Sequence, residues 1–120
     1  MVADYVPFKK RRSFERRVQD VIDIKRSHPD KVPVVIEKLP RERAIPVLSN
    51  CKYLIPENLP VIELVGIIRK RLSLNESQAL FLFSGKTIIT GTTIVKDLYL
   101  QHKEDDGYLY LNYCSEVSFG

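Results

Sequence analysis

The sequence has little of what most catalytic and metal-binding chemistries need. Only two of its 120 residues are cysteines, Cys51 and Cys114, far apart and without CxxC spacing or a cluster of histidine ligands. That excludes a disulfide framework and a zinc site, and leaves both as expected buried thiols. The two histidines, His28 and His102, each fall at an expected helix end, where an imidazole complements the dipole. No Ser, His and Asp set and no paired-carboxylate motif accompanies them. Glycine is scarce as well: residues 84–87 read SGKT, the tail of a phosphate-binding loop, but Leu80 stands where that motif needs its first glycine. No apolar run reaches the length that crosses a bilayer, and the basic N-terminus is not followed by a signal-peptide segment. A cytosolic chain that is neither an enzyme nor a metalloprotein is expected.

What is present suffices for one core. Hydrophobic residues make up 44% of the chain and the mean hydropathy is −0.15, the balance of a single globular domain. The net charge of +4 is unevenly spread. Residues 1–32 carry nine basic and five acidic side chains, residues 33–72 seven and four, and residues 73–120 three and six. A basic N-terminal half fits nucleic acid, tubulin, an anionic membrane or an acidic peptide, and charge alone does not choose among them.

The most informative stretch is 52–72, KYLIPENLPVIELVGIIRKRL. Residues 51–55 read as a strand with Cys51, Tyr53 and Ile55 on one face and Lys52 and Leu54 on the other. Pro56, Asn58 and Pro60 break it. A helix follows, whose stripe of Val61, Leu64, Val65, Ile68 and Leu72 has the width of a core-facing surface. Ile67 falls outside that stripe, beside Leu64 and with Arg71 between them; it is either a partly covered surface residue or the wall of an apolar pocket with a basic rim. The helix expected over residues 13–27 carries a similar surplus. Ser13 is its N-cap, Glu15 lies in its positive first turn, and His28-Pro29 stops it. Phe14, Val18, Val21 and Ile22 form its expected core stripe, while Ile24 lies off that stripe near Arg17 and Asp20. Ahead of it, Lys9, Lys10, Arg11 and Arg12 read as a solvated run.

The remaining segments supply strands and one more helix. Residues 31–38 (KVPVVIEK) and 108–114 (YLYLNYC) are apolar on both faces. Residues 79–83 form a strand closed by Ser84-Gly85, and residues 94–102 form a short helix capped by Thr92 or Thr93, with Ile94, Asp97, Leu98 and Gln101 at helical spacing. Glu104, Asp105 and Asp106 read as a solvated turn. Helix, strand, strand, helix, strand, helix, strand is the α+β order of a ubiquitin-like β-grasp. In that fold the first and last strands lie together at the centre, which accounts for two apolar faces on each. Residues 51–55 then form an edge whose unpaired N–H and C=O groups can accept another chain as a strand.

The blocks KKRRSFERRVQDVIDIKRSHPDKVPVVIEK, CKYLIPE, IIRKRL, EDDGYLYLNY and a terminal FG, in this order, resemble the autophagy ubiquitin-like modifiers, the GABARAP and microtubule-associated light chain family, with the light chain branch closer. The resemblance spans essentially the whole chain. It implies one domain over residues 1–120, an α+β ubiquitin-like β-grasp with a four-stranded mixed sheet and two additional N-terminal helices. Residues 1–28 are then the helical region, 29–114 the β-grasp core and 115–120 a flexible conjugation tail. It also implies that Gly120 is joined to phosphatidylethanolamine on autophagic membranes, with activating, transfer and deconjugating enzymes as partners and no other cofactor. A monomer is expected in solution, cytoplasmic until lipid attachment brings it to the autophagosome.

Cargo receptors with short aromatic-x-x-aliphatic motifs are the other implied partners. The positions that match the family's pocket for the aromatic residue are Asp20, Ile24, Pro33, Val35, Lys52, Leu54 and Tyr108. Those that match the aliphatic pocket are Tyr53, Ile55, Pro56, Leu64, Ile67 and Arg71. Arg11, Arg12 and Lys52 match the groups that meet acidic residues flanking the motif. Two departures stand out: the segment ALFLFSGKTII is one residue shorter than usual, and Asn50 replaces a common lysine. Rival readings are a modifier joined to protein lysines and a basic microtubule- or RNA-binding adaptor, whose binding would collapse with salt and need no Gly120.

Overall fold

A strand apolar on both faces needs cover on both, and the two such strands lie side by side in the middle of the sheet. The computed structural model describes residues 5–116. The elements in chain order are α1 (Phe8–Arg11), α2 (Phe14–Ser27), β1 (Lys31–Lys38), β2 (Lys52–Pro56), α3 (Val61–Arg71), β3 (Phe81–Ser84), β4 (Thr87–Ile88), α4 (Val95–His102) and β5 (Leu109–Cys114). The sheet order is β2-β1-β5-β3-β4. β1 and β5 run parallel, with Val34 opposite Leu109 and Ile36 opposite Leu111, and the other neighbours are antiparallel. Val32, Val34 and Ile36 join Leu109, Leu111 and Tyr113 in the main core against Val61, Leu64 and Ile68 of α3 and Val95, Leu98 and Tyr99 of α4. Val35 and Tyr108 turn to the opposite layer, covered by Phe8 of α1 and Val21 of α2.

Among the described residues the sheet has five strands where four were expected. The addition is β4, two residues long, too short to show alternation in a sequence. It pairs with β3 through Ser84 opposite Thr87, across a two-residue turn in which Gly85 has φ +59°. A glycine of positive φ at the first turn position matches the twist of the flanking strands. The SGKT run is therefore a hairpin turn.

Helix α2 begins as expected: Ser13 accepts a hydrogen bond from the Arg16 N–H at 3.2 Å, and the His28 N–H closes the other end on Ile24 O. Its inner face differs. Phe14 and Ile22 are exposed, Val21 is buried, and Arg17 is the second buried residue. The helix is rolled so that Arg17, Val21 and Ile24 face the sheet, because the guanidinium of Arg17 has a buried partner there. That partner is Asp106, 2.9 Å from Arg17 Nη1 and buried, so the acidic turn is not wholly solvated.

Two other elements are capped or aligned by tertiary contacts. No threonine side chain caps α4, whose N-cap is Ile94. Its first N–H groups are taken by the segment before α3, Val95 N–H by Leu59 O at 2.9 Å and Lys96 N–H by Glu57 O at 2.8 Å. Its buried face is Val95, Leu98 and Tyr99, not the Ile94, Asp97, Leu98 and Gln101 series. Strand β2 starts one residue later than expected. Cys51, outside the strand, leaves the face of Tyr53 and Ile55 and packs with Phe8, Val35 and Tyr108. Both cysteines are free and buried.

Gly107 closes the turn into β5 with φ +91°, and a Cβ built there would lie 2.8 Å from Val21 Cγ1. Its carbonyl also accepts the Tyr99 hydroxyl at 2.6 Å. Gly107→Ala therefore adds backbone strain to a clash, and is expected to destabilise by roughly 2–3 kcal/mol. Urea unfolding measures it; a loss below about 0.5 kcal/mol would show that this turn relaxes freely.

Candidate functional site at the edge of β2

Among the described residues strand β2 pairs with β1 alone, which leaves one of its edges open. Val34 lies opposite Tyr53 and Val35 opposite Lys52, and the Ile36 N–H bonds to Cys51 O at 2.8 Å. In an antiparallel ladder that phase turns the backbone groups of Tyr53 and Ile55 toward β1 and those of Lys52 and Leu54 outward. Lys52 is not bare. The Asn50 side chain donates to its carbonyl at 3.2 Å and accepts from its N–H at 3.4 Å, so one asparagine amide stands where a neighbouring strand would. The Tyr53 hydroxyl fixes the same residue by donating to Asn50 O at 2.6 Å.

The sequence-expected residues sort onto the two sides of this edge. On the side of α2, the pairs Val35–Lys52 and Pro33–Leu54 put four of them on one face. Beneath lie Val35 and Tyr108, fully buried, with Ile24 partly buried against them. The Tyr108 hydroxyl donates to Asp20 at 3.5 Å. Leu54 remains 37% exposed. On the side of α3, Ile55 and Leu64 belong to the main core and Tyr53 packs against it. Ile67 is 39% exposed, and the Arg71 guanidinium lies over the Tyr53 ring at 5.6 Å. Pro56 ends the strand, exposed.

The three expected cations are not equivalent. Arg12 makes a bidentate pair with Asp20, its Nη2 at 2.6 Å from Oδ1. That hydrogen bond holds the Asp20 carboxyl below the usual carboxylate range against the opposing effect of burial, with Arg12, Lys52 and Arg16 adding their fields. Arg11 reaches Val6 O at 2.9 Å, the Tyr5 hydroxyl and Cys51 Sγ at 3.2 Å. Lys52 is exposed and makes no ion pair among the described residues. Gly120, the expected conjugation point, lies outside the described residues.

Residues that sequence reasoning missed hold this frame in place. Glu37 of β1 accepts the Phe8 N–H at 2.9 Å and the Tyr5 hydroxyl at 2.5 Å, tying α1 to the sheet. Asp106 accepts from Arg17, from the Tyr110 hydroxyl at 2.5 Å and from the Tyr108 N–H at 2.9 Å. A cleft of about 310 Å³ between Lys9, Phe14, Arg17 and residues 104–106 adjoins that network, not the β2 edge.

The protein-family model described as "Autophagy protein Atg8 ubiquitin like" matches residues 16–120. The chain belongs to the Atg8 family. It is 40% identical over 121 residues to Protein lgg-2 of Caenorhabditis elegans, covering 99% of this chain and 93% of that protein. It is 35% identical over 115 residues to human microtubule-associated protein 1 light chain 3 gamma, with 95% and 78% covered. The crystal structure of Trypanosoma brucei ATG8 superposes with a TM-score of 0.87 at 33% identity, covering 98% of this chain and 100% of that one. The expected ubiquitin-like fold thus holds, and the chain is an autophagy protein of the modifier and adaptor kind, not an enzyme.

Three buried or part-buried tyrosines give this Atg8-family protein an alkaline limit. Burial, foremost, raises Tyr108 and Tyr110 well above ordinary phenols, with Asp20 adding at Tyr108 and an Asp106 hydrogen bond at Tyr110. Burial pushes Tyr113 up to about 12, although the Leu48 N–H opposes it. The unfolded chain loses these protons near pH 10 and the folded chain does not, so stability present below pH 10 is lost as pH rises toward 12. Urea midpoints are expected to be level up to about pH 9 and to fall beyond about pH 10, each tyrosine steepening the slope by at most about 1.4 kcal/mol per pH unit. Ionisation of every tyrosine near its ordinary value in the folded protein would contradict this.

Proposed function

We propose that this Atg8-family protein is conjugated through the carboxylate of Gly120 to phosphatidylethanolamine and that its β2 edge captures short aromatic-x-x-aliphatic segments of cargo receptors. The observation that carries the docking reading is the open edge of β2 with exposed Leu54 on one side and exposed Ile67 on the other. A bound strand alternates its side chains, so residues three apart reach opposite sides of that edge while the backbone pairs with β2. Asp20, Ile24, Pro33, Val35, Lys52, Leu54 and Tyr108 then receive the aromatic residue. Tyr53, Ile55, Pro56, Leu64, Ile67 and Arg71 receive the aliphatic one. Acidic residues ahead of the motif meet Lys52 first, since Arg11 and Arg12 already have partners; such exposed pairs add roughly 0.2–1 kcal/mol each and weaken with salt.

In this reading the Gly120 carboxylate is first activated by a nucleoside triphosphate as an acyl adenylate with release of pyrophosphate, and a thiol of the activating enzyme displaces the nucleotide. A thiol of the transfer enzyme takes over the acyl group, and the lipid amine displaces that thiol to form an amide that a deconjugating enzyme hydrolyses. The protein is cytoplasmic before that step and on the autophagosome after it. Among the described residues no helix is long and apolar enough to cross a membrane, so the covalent lipid supplies the anchor. Mass spectrometry of the membrane-bound form from cells tests this. A phosphatidylethanolamine adduct on Gly120 is expected. An isopeptide bond to a protein lysine would replace it with the protein-modifier reading, and an unmodified carboxylate with the basic-adaptor reading.

A further inference from the structure

Glu42 is a buried carboxylate that neither peptide docking nor any described ion pair uses, and it stands where the C-terminal segment leaves the sheet. It lies in the connection between β1 and β2, 5% exposed. Its Oε2 accepts the N–H groups of Ala44 at 2.6 Å and Ile45 at 3.1 Å, holding its own loop in shape. Its Oε1 accepts the Ser115 N–H at 2.5 Å and the Ser115 hydroxyl at 2.8 Å. Ser115 is the first residue after β5. The carboxyl is held below the usual range: burial alone would raise it, but the hydrogen bonds from Ser115, Ala44 and Ile45 outweigh that effect. Four donors from two segments converge on one ionised group, the arrangement in which a hydrogen-bonded carboxylate is strongest. The surrounding loop has its own fastening to β5, since the Tyr113 hydroxyl donates to Pro46 O at 2.7 Å and accepts from the Leu48 N–H at 2.9 Å. Holding the loop therefore does not require Glu42 to reach Ser115.

We propose that Glu42 is a positioning residue for the C-terminal segment: by gripping the backbone and side chain of Ser115 it fixes the point at which the chain leaves β5, and so aids presentation of Gly120 to the enzyme that activates it. This rests on the conjugation reading above. An enzyme that must draw a short tail into a narrow site binds it more tightly when the root is already ordered, because that entropy is lost before the encounter. The reacting carboxylate is five residues away, so the chemical step itself does not depend on Glu42. Loss of the grip should raise KM and leave kcat alone.

The experiment compares wild type, Glu42→Ala, Glu42→Gln and Ser115→Ala, using amide exchange at Ser115 by NMR and steady-state thioester formation with the activating enzyme. Glu42→Ala is expected to speed Ser115 exchange by at least about tenfold and to raise KM by about 5- to 30-fold, as freeing one residue of backbone predicts, with kcat within about twofold. Glu42→Gln keeps the shape but turns a donor toward donors, and should fall between. Ser115→Ala leaves Glu42 and its loop intact and removes one bond, so it should raise KM by about 2- to 5-fold even if Glu42→Ala fails to fold. Faster exchange with unchanged KM in these variants would overturn the positioning role and leave Glu42 a loop staple. Unchanged exchange would overturn the grip itself. If wild type forms no thioester at all, the conjugation reading fails first, and the exchange data still report whether Glu42 holds Ser115.

Discussion

Lys52→Glu combined with Leu54→Ala is expected to remove measurable binding of an aromatic-x-x-leucine peptide while the domain stays folded. Both side chains are exposed on β2, so neither substitution opens a cavity in the core. Leu54 is the apolar wall of the edge on the side of α2, and truncating it removes contact area where an anchoring aromatic would lie. Lys52→Glu does more than delete a cation. It places a carboxylate close to Asp20, whose titration already feels Lys52, so an acidic peptide flank would meet two anions. Together the changes should weaken the dissociation constant by about 100-fold or more, with the unfolding midpoint shifted by less than about 0.5 kcal/mol. Isothermal titration of a peptide with acidic residues before its aromatic reads the first quantity, and urea unfolding the second. Wild-type affinity in the double variant would falsify docking at this edge. A peptide that binds equally with and without its aromatic would leave the edge as a non-specific strand acceptor.

The architecture was largely legible because periodicity reports what a strand or helix buries. The continuous run Lys31–Lys38 could only be a strand covered on both faces, and its place beside β5 at the centre of the sheet follows from that. The stripe of α3 likewise names the residues that pack, with Val61, Leu64, Ile68 and Leu72 all buried. What failed were features decided by a partner far away in sequence. The roll of α2 depends on Asp106, 89 residues from Arg17, and no local pattern reveals that a buried arginine belongs on an inner face. Capping of α4 by Leu59 and Glu57 carbonyls, and the turning of Cys51 toward Phe8, have the same origin. β4 escaped for another reason, since two residues carry no period.

The candidate site was legible in a different way. Its residue types were visible as apolar positions left over once the core stripes were assigned. Ile67 is such a surplus side chain and is exposed. Ile24 is not a surplus position, because the roll that Arg17 imposes makes it part of the inner face of α2. The Asn50 amide on the Lys52 backbone could not be read, because an asparagine before a strand has many local bonding choices and only the folded edge selects this one. A bound strand has to displace that amide before pairing with Lys52, whereas the outward groups of Leu54 face the open edge.

Deleting Gly120 is expected to abolish every membrane-associated form of the protein while leaving peptide docking at its wild-type affinity. The two activities are separable on physical grounds. The proposed docking uses residues of α2, β1, β2 and α3 together with Tyr108 just before β5, and the deletion touches none of them. Conjugation needs a terminal carboxylate on a residue without a side chain, because an active site that closes around the reacting carbonyl leaves no room for a Cβ. Removing Gly120 leaves Phe119 at the end, a bulky aromatic in that position. The effect should be all-or-none, because a diacyl lipid holds a soluble domain on a bilayer whereas electrostatic attraction of the basic N-terminal half is screened at physiological salt. Cell fractionation and imaging in cells that lack other copies read the outcome, with the peptide titration run alongside on the purified deletion. Punctate membrane localisation that persists without Gly120 would sink lipid conjugation through this residue. If that residual localisation dissolved in raised salt, the basic surface of residues 1–32 would be the anchor in its place.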